Sequence, residues 1–149
     1  MIRALASTAI LAALPAVASA AIVIERPEIR ASLGAQPTTA AYLTIRNTGA
    51  APDRLLGASC ACAAMVMAHR STTANGISRM SMEAVVEVPA HGSVAFTPTG
   101  RHLMLTGVKA PIAPGAKVPI VLRFEKAGPV TAVFAASATP GMGAEHQHH

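Results

Sequence analysis

Short apolar runs separated by turn-forming residues dominate the chain from residue 22 onward. Turn signals recur about every 8–12 residues, and no segment keeps a helical apolar spacing over three turns. The pattern predicts an all-β fold of eight or nine short strands, arranged as an antiparallel Greek-key β-sandwich or barrel.

The boundaries of the predicted strands follow from where glycine, proline and asparagine interrupt these runs. Residues 27–39 contain two prolines and a glycine and are predicted to form a loop. Residues 63–70 fit either a strand or a single helical turn. The remaining runs are predicted strands: 22–24, 40–46, 55–59, 77–82, 84–88, 93–97, the run around 103–105, 118–124 and 130–136.

Asn75-Gly76 is the strongest hairpin signal in the chain. With these two residues at the centre of the turn, His69 faces Met82 and Met80 lies diagonally from His69. All three side chains then share one face of the hairpin, within reach of one another. A slip of one residue would move the side chains of the returning strand to the opposite face.

His102 and Met104 form a second candidate pair in the apolar run that Gly100 and Gly107 bound. Side chains alternate along a strand, so both project from the same side. An imidazole beside a thioether suits a soft or borderline ion, Cu(I) above all. Taken alone the pair is weak evidence, because methionine among apolar neighbours usually fills a core.

The first 20 residues have the pattern of a secretory signal peptide. Arg3 supplies the positive start, residues 4–17 the apolar middle, and Ala18-Ser19-Ala20 the cleavage site. No cysteine follows that site, so nothing indicates a lipid anchor. Cleavage would leave 149 − 20 = 129 residues. We expect one domain over residues 21–139, in an oxidising compartment, with no stable membrane insertion.

Composition excludes several classes of function. The net charge of +5 becomes +4 without Arg3, the basic residues are scattered, and aromatic residues make up 3%. This indicates a basic surface without a nucleic-acid site. The chain has no recognisable catalytic triad, carboxylate pair with motif spacing, phosphate loop or cofactor fingerprint, so we expect no enzymatic turnover.

The four candidate ligands follow a fixed spacing: His69, ten residues, Met80, twenty-one residues, His102, one residue, Met104. This resembles the metal motif of the PCu(A)C family of periplasmic copper chaperones. The similarity extends over residues 22–136, through AAYLTIRNTGA, DRLLGAS and HLMLTGVKAPIAPG. One departure is Arg70, where the family often has methionine directly after the first histidine; a cation there is expected to weaken binding or alter docking.

The resemblance implies a cupredoxin-like β-sandwich with an exposed Cu(I) site formed by His69, Met80, His102 and Met104. It also implies a periplasmic protein that delivers copper for assembly of cytochrome oxidase, and we expect this protein to be a monomer. The expected partner is an oxidase subunit or a thioredoxin-fold Sco-type assembly protein. The alternative is a copper-sequestering resistance protein without a dedicated client. An electron-transfer cupredoxin is disfavoured, because its copper needs a cysteine ligand and none lies near His102.

Several other residues remain open as auxiliary ligands. Met82 is an alternative to Met80, whereas Met65 and Met67 are expected to pack and His91 to lie in a solvated turn. Cys60 and Cys62 are expected to be buried inert thiols, or else a second soft or redox site, because a bridge across one residue closes a strained ring. The tail, residues 140–149, is predicted to be disordered. The candidate ligands in the tail are Met142, His146, His148 and His149. Their imidazoles would favour Cu(II) over Cu(I).

Overall fold

The computed structural model describes residues 21–34 and 37–140, and the strands account for most of them. The predicted signal peptide and the histidines of the tail lie outside the described residues. The strands are β1 (Ile22–Arg30), β2 (Thr38–Asn47), β3 (Asp53–Ser59), β4 (Ala63–Ala74), β5 (Ile77–Glu83), β6 (Val86–Val88), β7 (Ser93–Phe96), β8 (Arg101–Val108), β9 (Lys117–Phe124) and β10 (Gly128–Ser137).

Seven of these strands close into a barrel. Their order is β4-β8-β2-β1-β10-β9-β3, and β3 returns to β4 through the pair Ala58–Val66. Strands β5, β6 and β7 extend this barrel at β4, β3 and β2. The all-β, cupredoxin-like prediction is therefore confirmed, and residues 63–70 belong to a strand.

Aliphatic and phenylalanine side chains fill the barrel. The largest fully buried side chains are Phe134, Ile29, Ile45, Leu103, Leu105, Ile120, Leu122, Val86 and Val88. On β4 the inward residues Val66 and Ala68 are buried, so the residues between them point outward. This alternation decides which side of the sheet carries the candidate ligands.

The Asn75-Gly76 hairpin joins β4 to β5 in the predicted register. Both turn residues have positive φ, 52° and 75°, as a two-residue type I′ turn requires. His69 pairs with Met82, and Ser71 pairs with Met80. The even-numbered side chains of β5 therefore share a face with His69.

Two expectations about the sheet were wrong. Strand β1 continues to Arg30 instead of ending before Pro27, because a β-bulge between Glu25 and Glu28 accommodates the proline, with Arg26 at a φ of 48°. The sheet is also not wholly antiparallel, since β1 and β10 pair in parallel. Within residues 21–34 and 37–140, no helix has the length and apolar character needed to span a bilayer.

Candidate metal centre

The two candidate histidines come together because β4 and β8 are neighbours in the barrel. His69 pairs directly with His102, and Met67 pairs with Met104 one step along the same ladder. The imidazole centroids lie 5.9 Å apart, with the ring planes at 61°. The sequence separation of 33 residues is thus closed by a pairing of strands that are distant in the chain.

His102 is held by the backbone. The residue is 5% exposed, and its Nδ1 lies 3.2 Å from the carbonyl oxygen of Gly100. A carbonyl can only accept, so Nδ1–H is the donor and Nε2 keeps its lone pair. Such a contact fixes both the tautomer and the orientation of a metal-binding imidazole.

His69 has the opposite environment. Both ring nitrogens are buried, and neither has a hydrogen-bond partner among the residues that the structure describes. Burial lowers the pKa of His69 below its ordinary value of 6.5, and the charge that His102 would carry lowers it further. A neutral imidazole with an unsatisfied lone pair is suited to a metal ion, since buried polar atoms usually have partners.

The candidate methionines divide between two depressions, one beside His102 and a smaller one that buried core residues also line. Met80 and Met104 line the larger one, of about 500 Å³, together with His102, Ser71 and Tyr42. His69 does not line it but lies beside His102 on the next strand. Three of the four predicted ligands therefore open onto one space, and the fourth adjoins it.

Met82 faces elsewhere, although it pairs directly with His69. It lines a smaller depression of about 260 Å³ with Met67, where β3 and β5 diverge along β4. By strand register alone, Met82 lies nearer to His69 than Met80 does. The depressions instead group Met80 with His102 and Met104.

Met65 does not pack in the core, contrary to expectation, whereas Met67 is half-buried. They occupy outward positions of β4, and the Met65 side chain is 51% exposed. The expectation for Met65 was wrong because it treated apolar character as evidence of burial, whereas Val66 and Ala68 supply the inward face of this strand. His91, by contrast, lies in an exposed turn as expected.

Arg70 is separated from the imidazoles by strand alternation. Its Nη1 lies 3.8 Å from Oε1 of Glu83, and Arg101 also donates to Glu83 through Nε and through Nη2 at 3.0 Å. The hydrogen bond from Arg101 lowers the pKa of Glu83. The guanidinium of Arg70 therefore pairs with the carboxylate of Glu83, on the face of the sheet opposite to the two imidazoles.

Cys60 and Cys62 form a disulfide, so the expectation of buried inert thiols was wrong and no free thiol is left for a soft metal site. A redox role for the pair stays a prediction. The turn between β3 and β4 brings their Cα atoms to 5.1 Å, within the span that a bridge requires. The small ring disfavours a bridge in an extended chain, but the path of this turn permits it. While the disulfide is intact, neither sulfur is a thiolate, so neither can bind a metal ion as a thiolate ligand.

Sequence reasoning missed the groups that support the imidazoles. The carbonyl of Gly100 orients His102, and Tyr42 and Ser71 line the larger depression. No residue pattern marks a backbone carbonyl, and Tyr42 joins the site only through pairing of β2 with β8. The described residues contain no cluster of three or more His, Cys, Asp or Glu suited to a metal. The available donor set is therefore imidazole and thioether.

Comparisons with known proteins agree with this architecture. The model of the LpqE-like family, described as "Putative lipoprotein LpqE-like", matches residues 22–136. A protein of Leifsonia xyli subsp. xyli, "Putative lipoprotein Lxx21020", is 34% identical over 87 residues, which are 58% of this chain. The match spans about half of that relative, 52% of its length.

Solved structures of PCuAC domains are similar over most of the chain. The copper-bound PCuAC domain from PmoF2 is 29% identical, with a TM-score of 0.70 over 83% of this chain and 97% of that domain. The solution structure of CuI-DR1885 from Deinococcus radiodurans is 26% identical, with a TM-score of 0.63 over 84% of this chain and 82% of that protein. This chain has a PCuAC-type fold.

Proposed function

This chain belongs to the LpqE-like family, and from that premise and its PCuAC-type fold we propose that it is an exported copper chaperone. It binds one Cu(I) at the folded site as cargo, through His69, Met80, His102 and Met104. The copper named in the PmoF2 and DR1885 structures supports this choice of ion. The family's description as lipoproteins and the N-terminal signal pattern support an exported, periplasmic location.

The cross-strand pair of histidines is the observation that carries the proposal. His69 and His102 lie side by side at 5.9 Å, one with a fixed tautomer and the other with two unsatisfied nitrogens. An unsatisfied buried polar atom costs about 1–3 kcal/mol, which coordination would offset. Met80 and Met104 add thioether sulfur at the depression that His102 lines.

The chemistry of this donor set suits a carrier. Thioether sulfur is soft, selects Cu(I) and has no proton to lose. In an oxidising compartment methionine cannot be lost to a disulfide, as cysteine can. A neutral site with two nitrogen and two sulfur donors should release Cu(I) to a partner that offers thiolates.

A competition titration with a colorimetric Cu(I) chelator tests the ligands. We expect His102→Ala and Met104→Ala to weaken Cu(I) binding by at least about tenfold, the lower limit for removing even an outer-shell partner of a metal. His91→Ala is the matched control, because His91 is exposed in the turn between β6 and β7, and neither strand carries a proposed ligand. Unchanged affinity in the two site variants would refute the assignment.

Delivery is the second half of the proposal. We propose that a monomeric carrier supplies copper for a cytochrome oxidase copper site, to an oxidase subunit or a Sco-type protein. Deletion of the gene should lower oxidase activity under copper limitation, and copper addition should restore it. If deletion lowers copper tolerance and leaves oxidase activity intact, the protein sequesters copper without this client.

A further inference from the structure

The Cys60–Cys62 disulfide lies in a part of the barrel that the proposed copper site does not use. It spans the turn between β3 and β4, and both cysteines are half-buried against the edge of the core. Cys62 precedes His69 by seven residues of mostly extended chain, which separates the two by roughly 20 Å along β4. The bridge is therefore either a structural cross-link of this turn or a reactive group in its own right.

As a structural cross-link this bridge contributes little. A disulfide stabilises a fold mainly by closing a loop in the unfolded chain, and the gain grows with the length of that loop. Only Ala61 lies between the two cysteines, so the loop is nearly the shortest that a disulfide can close. A hydrogen bond from the Ala63 N–H to the carbonyl oxygen of Cys60, at 3.4 Å, already closes the same turn. Opening the disulfide should therefore leave the barrel folded.

The two sulfur atoms differ in how well they could carry a negative charge. The backbone N–H of Cys62 donates a hydrogen bond to Sγ of Cys60, with a distance of 3.1 Å between nitrogen and sulfur. Such a hydrogen bond is stronger when the acceptor is charged, so it favours Cys60 as a thiolate once the bridge opens. In the part of the chain that the structure describes, Sγ of Cys62 accepts no equivalent hydrogen bond. Cys60 is therefore the better leaving group of the pair.

The charges around the turn also favour a thiolate. The strands beside it are β8, where the N–H of Lys109 donates to the carbonyl oxygen of Cys62 at 2.9 Å, and β9, which pairs with the end of β3. Residues 106–112 and 117–123, which include these segments, carry Lys109, Lys117 and Arg123 and no Asp or Glu. Neighbouring cations stabilise a thiolate and so make a cysteine pair more reactive.

We propose that the Cys60–Cys62 disulfide is a redox site that accepts two electrons from the dithiol of a partner protein. A thiolate of the partner attacks Sγ of Cys62 and forms a mixed disulfide, while the Cys60–Cys62 bond breaks and its electron pair leaves on Cys60. The partner's second thiolate then attacks the partner's own sulfur in the mixed disulfide and releases Cys62 as a thiolate. The partner becomes a disulfide, and the two protons of its thiols pass through solvent to Cys60 and Cys62. The step is one stoichiometric exchange and requires no copper.

Reduction of the folded protein tests the proposal. The oxidised chain from Ala21 to His149, free of copper, would be mixed in native buffer with reduced thioredoxin as the dithiol probe. We expect two new thiols per chain, counted by mass after alkylation, with one thioredoxin oxidised for each bridge opened. A bridge that resists excess thioredoxin in native buffer, yet is reduced by dithiothreitol in urea, would be a structural cross-link. That result would overturn the proposal.

A probe with one thiol identifies the sulfur that is attacked. A thioredoxin variant that lacks its second cysteine cannot complete the exchange, so it should accumulate as a mixed disulfide with this chain. After an early acid quench, tandem mass spectrometry should locate the cross-link on Cys62. A cross-link on Cys60 would overturn the assignment of Cys60 as the leaving sulfur.

Two matched variants test the hydrogen bond itself. Cys62→Ser keeps the backbone N–H that donates to Cys60, whereas Cys60→Ser leaves Cys62 without an equivalent donor. At pH 6, iodoacetamide should alkylate Cys60 in the first variant at least about threefold faster than Cys62 in the second, because a larger fraction of Cys60 is thiolate. Equal rates, or faster alkylation of Cys62, would contradict this preference.

Copper binding separates this proposal from the copper-carrier function. Cys60→Ser combined with Cys62→Ser removes the redox site and leaves the four proposed copper ligands in place. Its Cu(I) affinity in the chelator titration should therefore equal that of the wild type. If the double serine variant stays folded but loses Cu(I) affinity, the cysteines belong to the copper site and the separate redox site is wrong.

Discussion

At the scale of single residues, the two histidines are prepared for metal binding in different ways. A backbone carbonyl holds Nδ1 of His102 and leaves Nε2 for a ligand bond. His69 has no such support, and its two buried nitrogens lack partners among the described residues. One ring is therefore oriented in advance, whereas the other is unsatisfied until an ion binds.

The lowered pKa of His69 gives a testable pH dependence in the apo protein. The unfolded chain takes up a proton at this residue near pH 6.5, but the folded protein does so only at lower pH. The unfolded state then binds more protons in that window, so the free energy of unfolding falls as pH decreases through it. Urea denaturation between about pH 7 and pH 5 should show this loss.

His69→Gln is the control for this pH effect, because it keeps a polar side chain that does not titrate. Its unfolding free energy should lose less on acidification than that of the wild type. The His91→Ala variant should lose as much as the wild type, since His91 is exposed. Equal losses in the wild type and His69→Gln would show that burial does not lower the pKa of His69.

At the scale of elements, β8 serves the core and the site with alternate residues. His102 and Met104 point outward, while Leu103 and Leu105 are 1% and 0% exposed within the barrel. Packing of these leucines holds the strand against β4, and the strand then presents its donors opposite His69. The copper site thus depends on core residues that never touch it.

Leu103→Ala tests how much this packing stabilises the barrel. Removing a fully buried leucine side chain should lower the free energy of unfolding by about 2–5 kcal/mol, measured by urea denaturation of the apo protein. Leu56→Ala on β3 is the matched control, because Leu56 is 38% exposed and should cost less. A comparable loss in both variants would contradict the account of β8.

The β4–β5 hairpin could be predicted from the sequence, whereas the pairing of β4 with β8 could not. Asn75-Gly76 fixes the register of β4 against β5 through a local turn, so the placement of His69 opposite Met82 could be predicted. The pairing of β4 with β8 is not local, and the sequence did not predict it. The family resemblance implied only that His69 and His102 bind the same ion. The Cys60–Cys62 bridge depends on the path of one turn, which residue patterns do not specify.

At the scale of the whole molecule, a closed barrel presents soft donors on one face. The alternation of apolar and polar residues was enough to predict an all-β fold, but not the parallel contact of β1 with β10 or the bulge at Arg26. The alternation also could not decide whether Met80 or Met82 lies beside His102 and Met104. Their distribution between two depressions depends on how the β5 edge lies against the rest of the barrel.

X-ray absorption at the copper edge tests the central claim most directly. The protein would be loaded with less than one equivalent of Cu(I), and spectra would be compared for the wild type, Met80→Leu and Met82→Leu. We predict nitrogen and sulfur neighbours in equal number for the wild type, fewer sulfur neighbours in Met80→Leu, and an unchanged spectrum in Met82→Leu. A wild-type spectrum with only nitrogen or only sulfur neighbours would contradict the proposed site.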